Sequence, residues 1–146
     1  MIHIRHAGVA RVPIYVAFAY IDDYQTVPDW MFGISEFTPV GEFTQGLGAT
    51  FDTVMHIGPK QLRSRVEISE WVENEVITVS SLDGITNTST WRFKAQDDDH
   101  TELSVDFAYQ LPGGLAGKAL GRLVEPIVET AITSTENKLR RNLERI

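Results

Sequence analysis

The side chains best equipped for acid–base, nucleophilic or metal chemistry are scattered along this chain at spacings that do not combine them. His3 and His6 are the nearest pair of histidines, with His56 and His100 far away. On a strand their separation puts them on opposite faces, so a shared metal is not expected. Asp97, Asp98 and Asp99 fall where a solvated hairpin turn is expected, and a cation there is the lesser reading. Asp22-Asp23 is read as a helix terminator or a cap for the next segment rather than a catalytic carboxylate pair. Gly113-Gly114-Leu115-Ala116-Gly117-Lys118 follows a strand-like run and opens a helix-like one, which invites a phosphate-loop reading. That pattern needs Gly where Pro112 stands and Ser or Thr where Ala119 stands, so the glycines are assigned to a turn and to close helix packing. No serine lies in a nucleophile-elbow pattern. The absence of cysteine removes thiolate nucleophiles, thiolate metal sites and disulfides. Neither a metal nor a cofactor is expected. The candidates left for proton transfer are Glu70, Tyr109 and Arg65, and their standing depends on which way the strands face.

The elements that must position them are legible from periodicity. Ile2 to Val9 alternates and reads as a strand, Pro13 to Ile21 as a short helix, and Asp22 to Trp30 as a second short helical or turn segment broken around Val27-Pro28-Asp29. Strands are then expected at Ile34–Pro39, Ala49–Ile57, Gln61–Val72, Val76–Ser81, Thr86–Gln96 and Thr101–Gln110. They are punctuated by Gly46-Leu47-Gly48, Gly58-Pro59-Lys60, Glu73-Asn74-Glu75, Asp83-Gly84 and Asp97 to His100. Short loops favour an antiparallel meander. From Gly113 to Ile146 the apolar residues Leu120, Leu123, Val124, Ile127, Val128, Ala131, Ile132, Leu139, Leu143 and Ile146 recur at threes and fours and form one wide helical stripe. Pro126 deletes one hydrogen bond in that helix and is expected to kink it, and the glycine-rich start would let it move as a gate. A long helix after a run of strands needs a sheet to lie on, and a cavity between the two is where a function would reside.

Composition limits the partners. At 146 residues, 42% hydrophobic and 23% charged, the chain is read as one globular domain, residues 1–146. A net charge of −7 argues against a nucleic-acid partner. Arg5 and Arg11 before the apolar run Val12 to Ile21, with Ala17-Phe18-Ala19, imitate an export signal. Pro13 at a helix start and the abrupt stop at Asp22-Asp23 favour a structural helix and a cytoplasmic protein, export being the minor reading. No run approaches the ~18 apolar residues of a membrane span. Oligomeric state is not encoded in any feature found.

The order of these elements resembles the START/Bet v 1-like (SRPBCC) superfamily, in its bacterial polyketide cyclase/dehydrase branch. The residues carrying the resemblance are Val12-Pro13, Phe18 to Asp23, Val27 to Met31, Gly46 to Ala49 and Tyr109 to Gly114, and it covers nearly the whole chain. It implies an α+β helix-grip fold, with a curved antiparallel sheet of about six or seven strands wrapped around a long C-terminal helix and two short helices after the first strand. Members of the superfamily bind lipids, steroids, quinones and plant hormones, or cyclise and dehydrate polyketides. The resemblance supplies no catalytic motif that transfers to a residue here.

Strand alternation predicts the cavity's lining. The inward sets are Phe51, Thr53, Met55 and Ile57; Leu62, Ser64, Val66, Ile68 and Glu70; Ile77, Val79 and Ser81; Asn87, Ser89, Trp91 and Phe93; and Leu103, Val105, Phe107 and Tyr109. The outward sets collect Asp52, His56, Arg63, Arg65, Glu67, Arg92, Lys94, Glu102 and Asp106. Trp71 then points to water unless a bulge intervenes, and a bulge or register shift would also bring Arg63 or Arg65 inward to hold an anion. Trp30 and Met31 serve either core or ligand. The expectation is a binder of a hydrophobic small molecule such as a lipid, quinone or polyketide-like aromatic, lined by Trp30, Phe51, Met55, Ser64, Trp91, Phe107, Tyr109, Leu120 and Val124. The alternative is a cyclase or dehydratase in the same cavity, with Glu70, Tyr109 or a register-shifted Arg65 moving protons. A second alternative is a regulatory module that docks a partner protein through its acidic outer face or the long helix.

Overall fold

The structure, a computed structural model, describes residues 2–57, 60–110 and 115–146, and of residues 57, 60 and 115–125 it describes the backbone alone. Seven strands form one antiparallel sheet: β1 (Ile2–Ala10), β2 (Ile34–Val40), β3 (Thr50–Ile57), β4 (Lys60–Val72), β5 (Val76–Ser81), β6 (Thr86–Asp97) and β7 (His100–Gln110). The order across the sheet is β1-β7-β6-β5-β4-β3-β2. Strands β2 to β7 are thus a meander, and β1 closes beside β7. The connection from β1 to β2 carries α1 (Ile14–Asp22), a 3-10 turn (Tyr24–Thr26) and α2 (Val27–Trp30). The long helix α3 (Leu115–Glu144) follows β7 and packs chiefly on β1, with further contacts to α2 and α1. This is the helix-grip arrangement.

Turn chemistry accounts for the hairpins. Asn74 is the residue other than glycine that adopts a positive φ (61°) among those described, and it sits in the β4–β5 turn, a conformation its short amide side chain tolerates. Gly84, at φ 73°, turns β5 into β6. That hairpin folds back on β4: the Leu82 amide donates to the Arg65 carbonyl at 2.7 Å, and Asp83 Oδ1 accepts from the Arg65 amide at 2.7 Å. Asp23 caps the 3-10 turn, its carboxylate accepting from the Gln25 amide at 3.0 Å.

The sheet departs from strict alternation at Ser35, Ser69 and Gln96, where pairing skips a residue. At Ser69 the skip changes what faces inward. Ile68 pairs with Val79, but Glu70, not Ser69, pairs with Thr78. Beyond that point the parity is reversed, so Glu70 lies exposed on the outer face and Trp71 turns inward. The expected inward placement of Glu70 is corrected here, and the bulge that Trp71 required is present. At Ser35 the same effect carries Phe37 to the inner face with Ile34.

The core is continuous from α1 and α2 to the C-terminal half of α3. Phe18 meets Phe93 and Trp71 edge-on at 5.2 and 5.6 Å, and Trp30 meets Trp91 edge-on at 5.4 Å. Leu139 and Leu143 are fully buried, as the helical stripe requires, whereas Ile127 (60% exposed) and Ile146 (74% exposed) are not. Two polar residues of α3 are buried instead. Thr135 Oγ1 accepts from the Phe32 amide at 3.0 Å, and Glu136, with no exposed surface, reaches His6 Nε2 on β1 at 2.9 Å. Arg140 approaches the same carboxylate at 3.8 Å. Gly8 makes room for this cluster, because a Cβ there would overlap Glu136 Oε1.

Candidate functional site

Between the sheet's inner face, the short helices and α3 lies a cavity of about 400 Å³. Each wall follows from a local rule. Alternation along β3, β4, β5, β6 and β7 delivers Phe51, Thr53 and Met55; Ser64, Val66 and Ile68; Ile77 and Val79; Asn87, Ser89 and Trp91; and Val105, Phe107 and Tyr109. Helix α1 and the turn after it add Ile21, Asp22 and Tyr24, α2 adds Val27 and Trp30, and α3 adds Ile127, Val128, Ala131, Ile132 and Thr135. Aromatic rings make two of the faces: Phe37 stacks on Phe51 at 4.5 Å with Tyr24 beyond it, and Phe107 lies 5.8 Å from Tyr109. Phe32, Leu62, Ile85 and Ile127 border the cavity and are also exposed to solvent, so the chamber opens between them.

Of the residues expected in the lining, Trp30, Phe51, Met55, Ser64, Trp91, Phe107 and Tyr109 border the cavity. Leu120 and Val124 lie on α3 among the side chains outside the described residues. Glu70 stands on the far side of the sheet, where Thr78 Oγ1 donates to its carboxylate at 3.0 Å. Arg65 also points outward and pairs with Asp52, its Nε 2.8 Å from Oδ1. The guanidinium donates to Asp52 and holds its carboxyl below the usual range. No register shift carries Arg65 inward. Arg63 and His56, assigned to the outer face by alternation, nevertheless border the cavity at its mouth. There the paired ends of β3 and β4 form the rim, and residues of both parities reach the opening.

The polar groups of the chamber are few. The hydroxyls of Thr53 and Ser64 face each other across β3 and β4 at 2.7 Å, and Thr53 Oγ1 also lies 3.2 Å from the Ser64 carbonyl. Among the described residues Asp22 is the carboxylate of the wall, and its Oδ1 accepts from Trp71 Nε1 at 2.9 Å. Burial raises its pKa above the ordinary aspartate value. The Trp71 hydrogen bond pulls the other way, and Asp23 and Glu73 nearby add to the rise. Alternation along strands does not reveal Asp22, because it is a helical residue. Its signal is helical: Phe18, Ile21 and Asp22 stand at i, i+3 and i+4, and the first two are buried. Phe37 was hidden by the bulge at Ser35, and Thr135 by its polar side chain. Among the described residues no three of His, Cys, Asp and Glu converge to hold a metal. No described helix is long and apolar enough to cross a membrane.

Similar architectures are known from solved structures. A protein from Thermus thermophilus superposes with a TM-score of 0.83 at 17% identity, covering 97% of each chain. The Zhui aromatase/cyclase from Streptomyces sp. R1128 superposes with a TM-score of 0.77 at 17% identity, over 99% of this chain and 94% of its own. A START superfamily protein from Mycobacterium smegmatis gives a TM-score of 0.68 at 15% identity, over 97% and 94% of the two chains. At such identities these likenesses concern the fold. No curated protein matches by sequence. The sequence profile described as polyketide cyclase / dehydrase and lipid transport matches residues 1–144. With that match over nearly its full length, on a helix-grip fold enclosing an apolar chamber, the chain belongs to the polyketide cyclase/dehydrase and lipid transport family.

Proposed function

We propose that this chain binds a hydrophobic small molecule, such as a lipid, a quinone or a polyketide-like aromatic, in the cavity between sheet and α3, and that it carries or sequesters it as a single cytoplasmic domain. The observation that carries this reading is the wall. A chamber of about 400 Å³ is within the range typical of small-molecule sites, and its described surface is mainly aliphatic and aromatic, with the hydroxyls of Thr53 and Ser64 engaged with each other. Apolar burial supplies the affinity and scattered polar groups fix orientation.

The test is titration with the fluorescent apolar probe N-phenyl-1-naphthylamine, alongside native mass spectrometry of protein purified from its own host. Wild type binds one probe per chain, and Ser64→Phe, which projects a ring into the chamber, binds at least ~10-fold more weakly while still unfolding cooperatively. Glu70→Gln, on the outer face, leaves binding unchanged. Failure of wild type to bind, or unaltered binding by Ser64→Phe, overturns the reading.

One observation favours a second reading, cyclase or dehydratase chemistry. Asp22 borders the cavity with a raised pKa, the condition of a carboxyl suited to proton transfer, and Tyr109 lines the same cavity from the sheet. On that reading Asp22 and Tyr109 take the roles that Glu70 and Arg65, both outside the chamber, do not fill. Loss of turnover with retained probe binding in Asp22→Asn would support it.

A further inference from the structure

The chamber is not uniform along its length. At its mouth stand His56 on β3, Arg63 and Ser64 on β4, Ile85 in the β5–β6 turn and Asn87 at the start of β6. The inner end is marked by Trp91 on β6, with Ile77 of β5 on one side and Val105 of β7 on the other. Asn87 and Trp91 share a face of β6 and lie four residues apart, about 13 Å along the strand.

Polarity follows that axis. Thr53 pairs with Ser64 across β3 and β4 in the outer part, and the Asn87 amide is held there by donating to the Ile85 carbonyl at 2.8 Å. Among the described lining residues the basic side chains are Arg63 and His56, and both are at the mouth. Asp22, the carboxylate, is at the opposite end, bonded to Trp71, which pairs with Ile77. The two basic groups are not equally engaged. His56 Nε2 lies 2.9 Å from Ser35 Oγ. Arg65 is committed to Asp52, whereas Arg63 has no ion pair or side-chain hydrogen bond among the described residues.

We propose that the ligand is an amphiphile bearing one carboxylate, which sits at the mouth with Arg63 and His56 while the apolar frame runs inward to Trp91. This rests on the reading of the cavity as a binding site and gives the ligand a charge and a direction. The reverse orientation would strip water from the carboxylate at an end that offers it Asp22 and apolar walls, without a cation. At the mouth the carboxylate keeps part of its hydration and gains a guanidinium whose fork matches its two oxygens. One arginine without an ion-pair partner balances one negative charge, whereas a phosphate monoester carries about two.

Decanoate and 1-decanol share a chain and differ in charge, and each is titrated against N-phenyl-1-naphthylamine at neutral pH and low salt. Arg63→Gln is expected to weaken decanoate about 5-fold, the upper end for an exposed ion pair, and to leave decanol unchanged. High salt should shrink that difference. Arg92→Gln, on the outer face, should alter neither. Direction is read from quenching of tryptophan fluorescence by bromine: 10-bromodecanoate, bearing it at the inner end, should quench more than 2-bromodecanoate. Equal effects of Arg63→Gln on the acid and the alcohol, or quenching by the 2-bromo acid that matches or exceeds the other, overturn the inference while the binding reading stands. If wild type binds neither the fluorescent probe nor either decyl compound, the binding reading itself falls and this inference with it.

Discussion

Replacing Gly8 by alanine sets two effects against each other, and the structure says which wins. Gly8 is a strand residue with no left-handed backbone requirement, so alanine alone would stabilise the fold by about 0.4–1 kcal/mol through the unfolded chain. The new Cβ, however, would overlap Glu136 Oε1 and lie 2.7 Å from Arg140 Nη1. Arg140 can swing its end aside, whereas Glu136 has no exposed surface and no obvious place to go. Overpacking of this kind costs about 1–3 kcal/mol. Displacing the carboxylate also breaks its 2.9 Å contact with His6, and a hydrogen bond to a charged group is worth about 1.5–3 kcal/mol. The net expectation is a loss of about 1.5–5.5 kcal/mol, or roughly 4–20 °C in melting temperature for a chain of this size. Urea unfolding monitored by tryptophan fluorescence measures it, with the slope unchanged if only the native state is affected. The clash is specific to Glu136, so the penalty should largely vanish when Gly8→Ala is introduced into a Glu136→Ala background. A Gly8→Ala protein as stable as wild type, or one equally destabilised in both backgrounds, would refute it.

Two further expectations concern pH. The carboxyl of Glu144 is held below the usual glutamate value, first by the Arg11 backbone N–H and also by its guanidinium, and burial only partly offsets them. Its stabilisation is therefore full above the unfolded pKa and is lost as pH falls through the folded one, so Glu144→Gln should narrow the gap in urea midpoint between pH 6 and pH 3; an unchanged gap would count against the pairing. Asp22 has the opposite sign, since burial first, then Asp23 and Glu73, raise its carboxyl in the folded state. Its charged form costs stability above that pKa and the cost disappears as pH falls below it, so Asp22→Asn, whose amide oxygen can still accept from Trp71, should be modestly more stable at pH 7 and no more stable at pH 3 by the same measurement.

Much of this fold could be read residue by residue. Val76–Ser81 was delimited on both sides by turn residues, Glu73-Asn74-Glu75 and Asp83-Gly84, and the strand spans those bounds. The inner faces of β3, β6 and β7 followed from alternation, because no bulge interrupts them between Phe51 and Met55, Asn87 and Phe93, or Leu103 and Tyr109. What failed was the extrapolation of alternation past Ile68. A bulge has no compositional signature of its own, and Glu70 and Trp71 exchanged faces across it. Pattern also passed over Glu136, since its partner His6 is 130 positions away and a glutamate at a helical position reads as solvated until the glycine that accommodates it is seen in space. Asp22 illustrates a third limit: an acidic residue at a helix end reads as a stop signal, although its position continues the buried face of α1.

The bulge at Ser69 also bears on which changes in β4 can reach the chamber. Deleting that one residue would restore regular pairing between β4 and β5 while leaving Glu70 opposite Thr78 and Trp71 opposite Ile77, so neither would change faces. Ironing the bulge out with Ser69 kept in the ladder would instead turn Glu70 into the chamber and Trp71 out of it, releasing Asp22 from its indole donor. The strand therefore tolerates the loss of this residue without altering the wall, whereas its pairing register decides whether the wall gains a second carboxylate. Register, as much as the identity of any side chain, determines what the chamber can do.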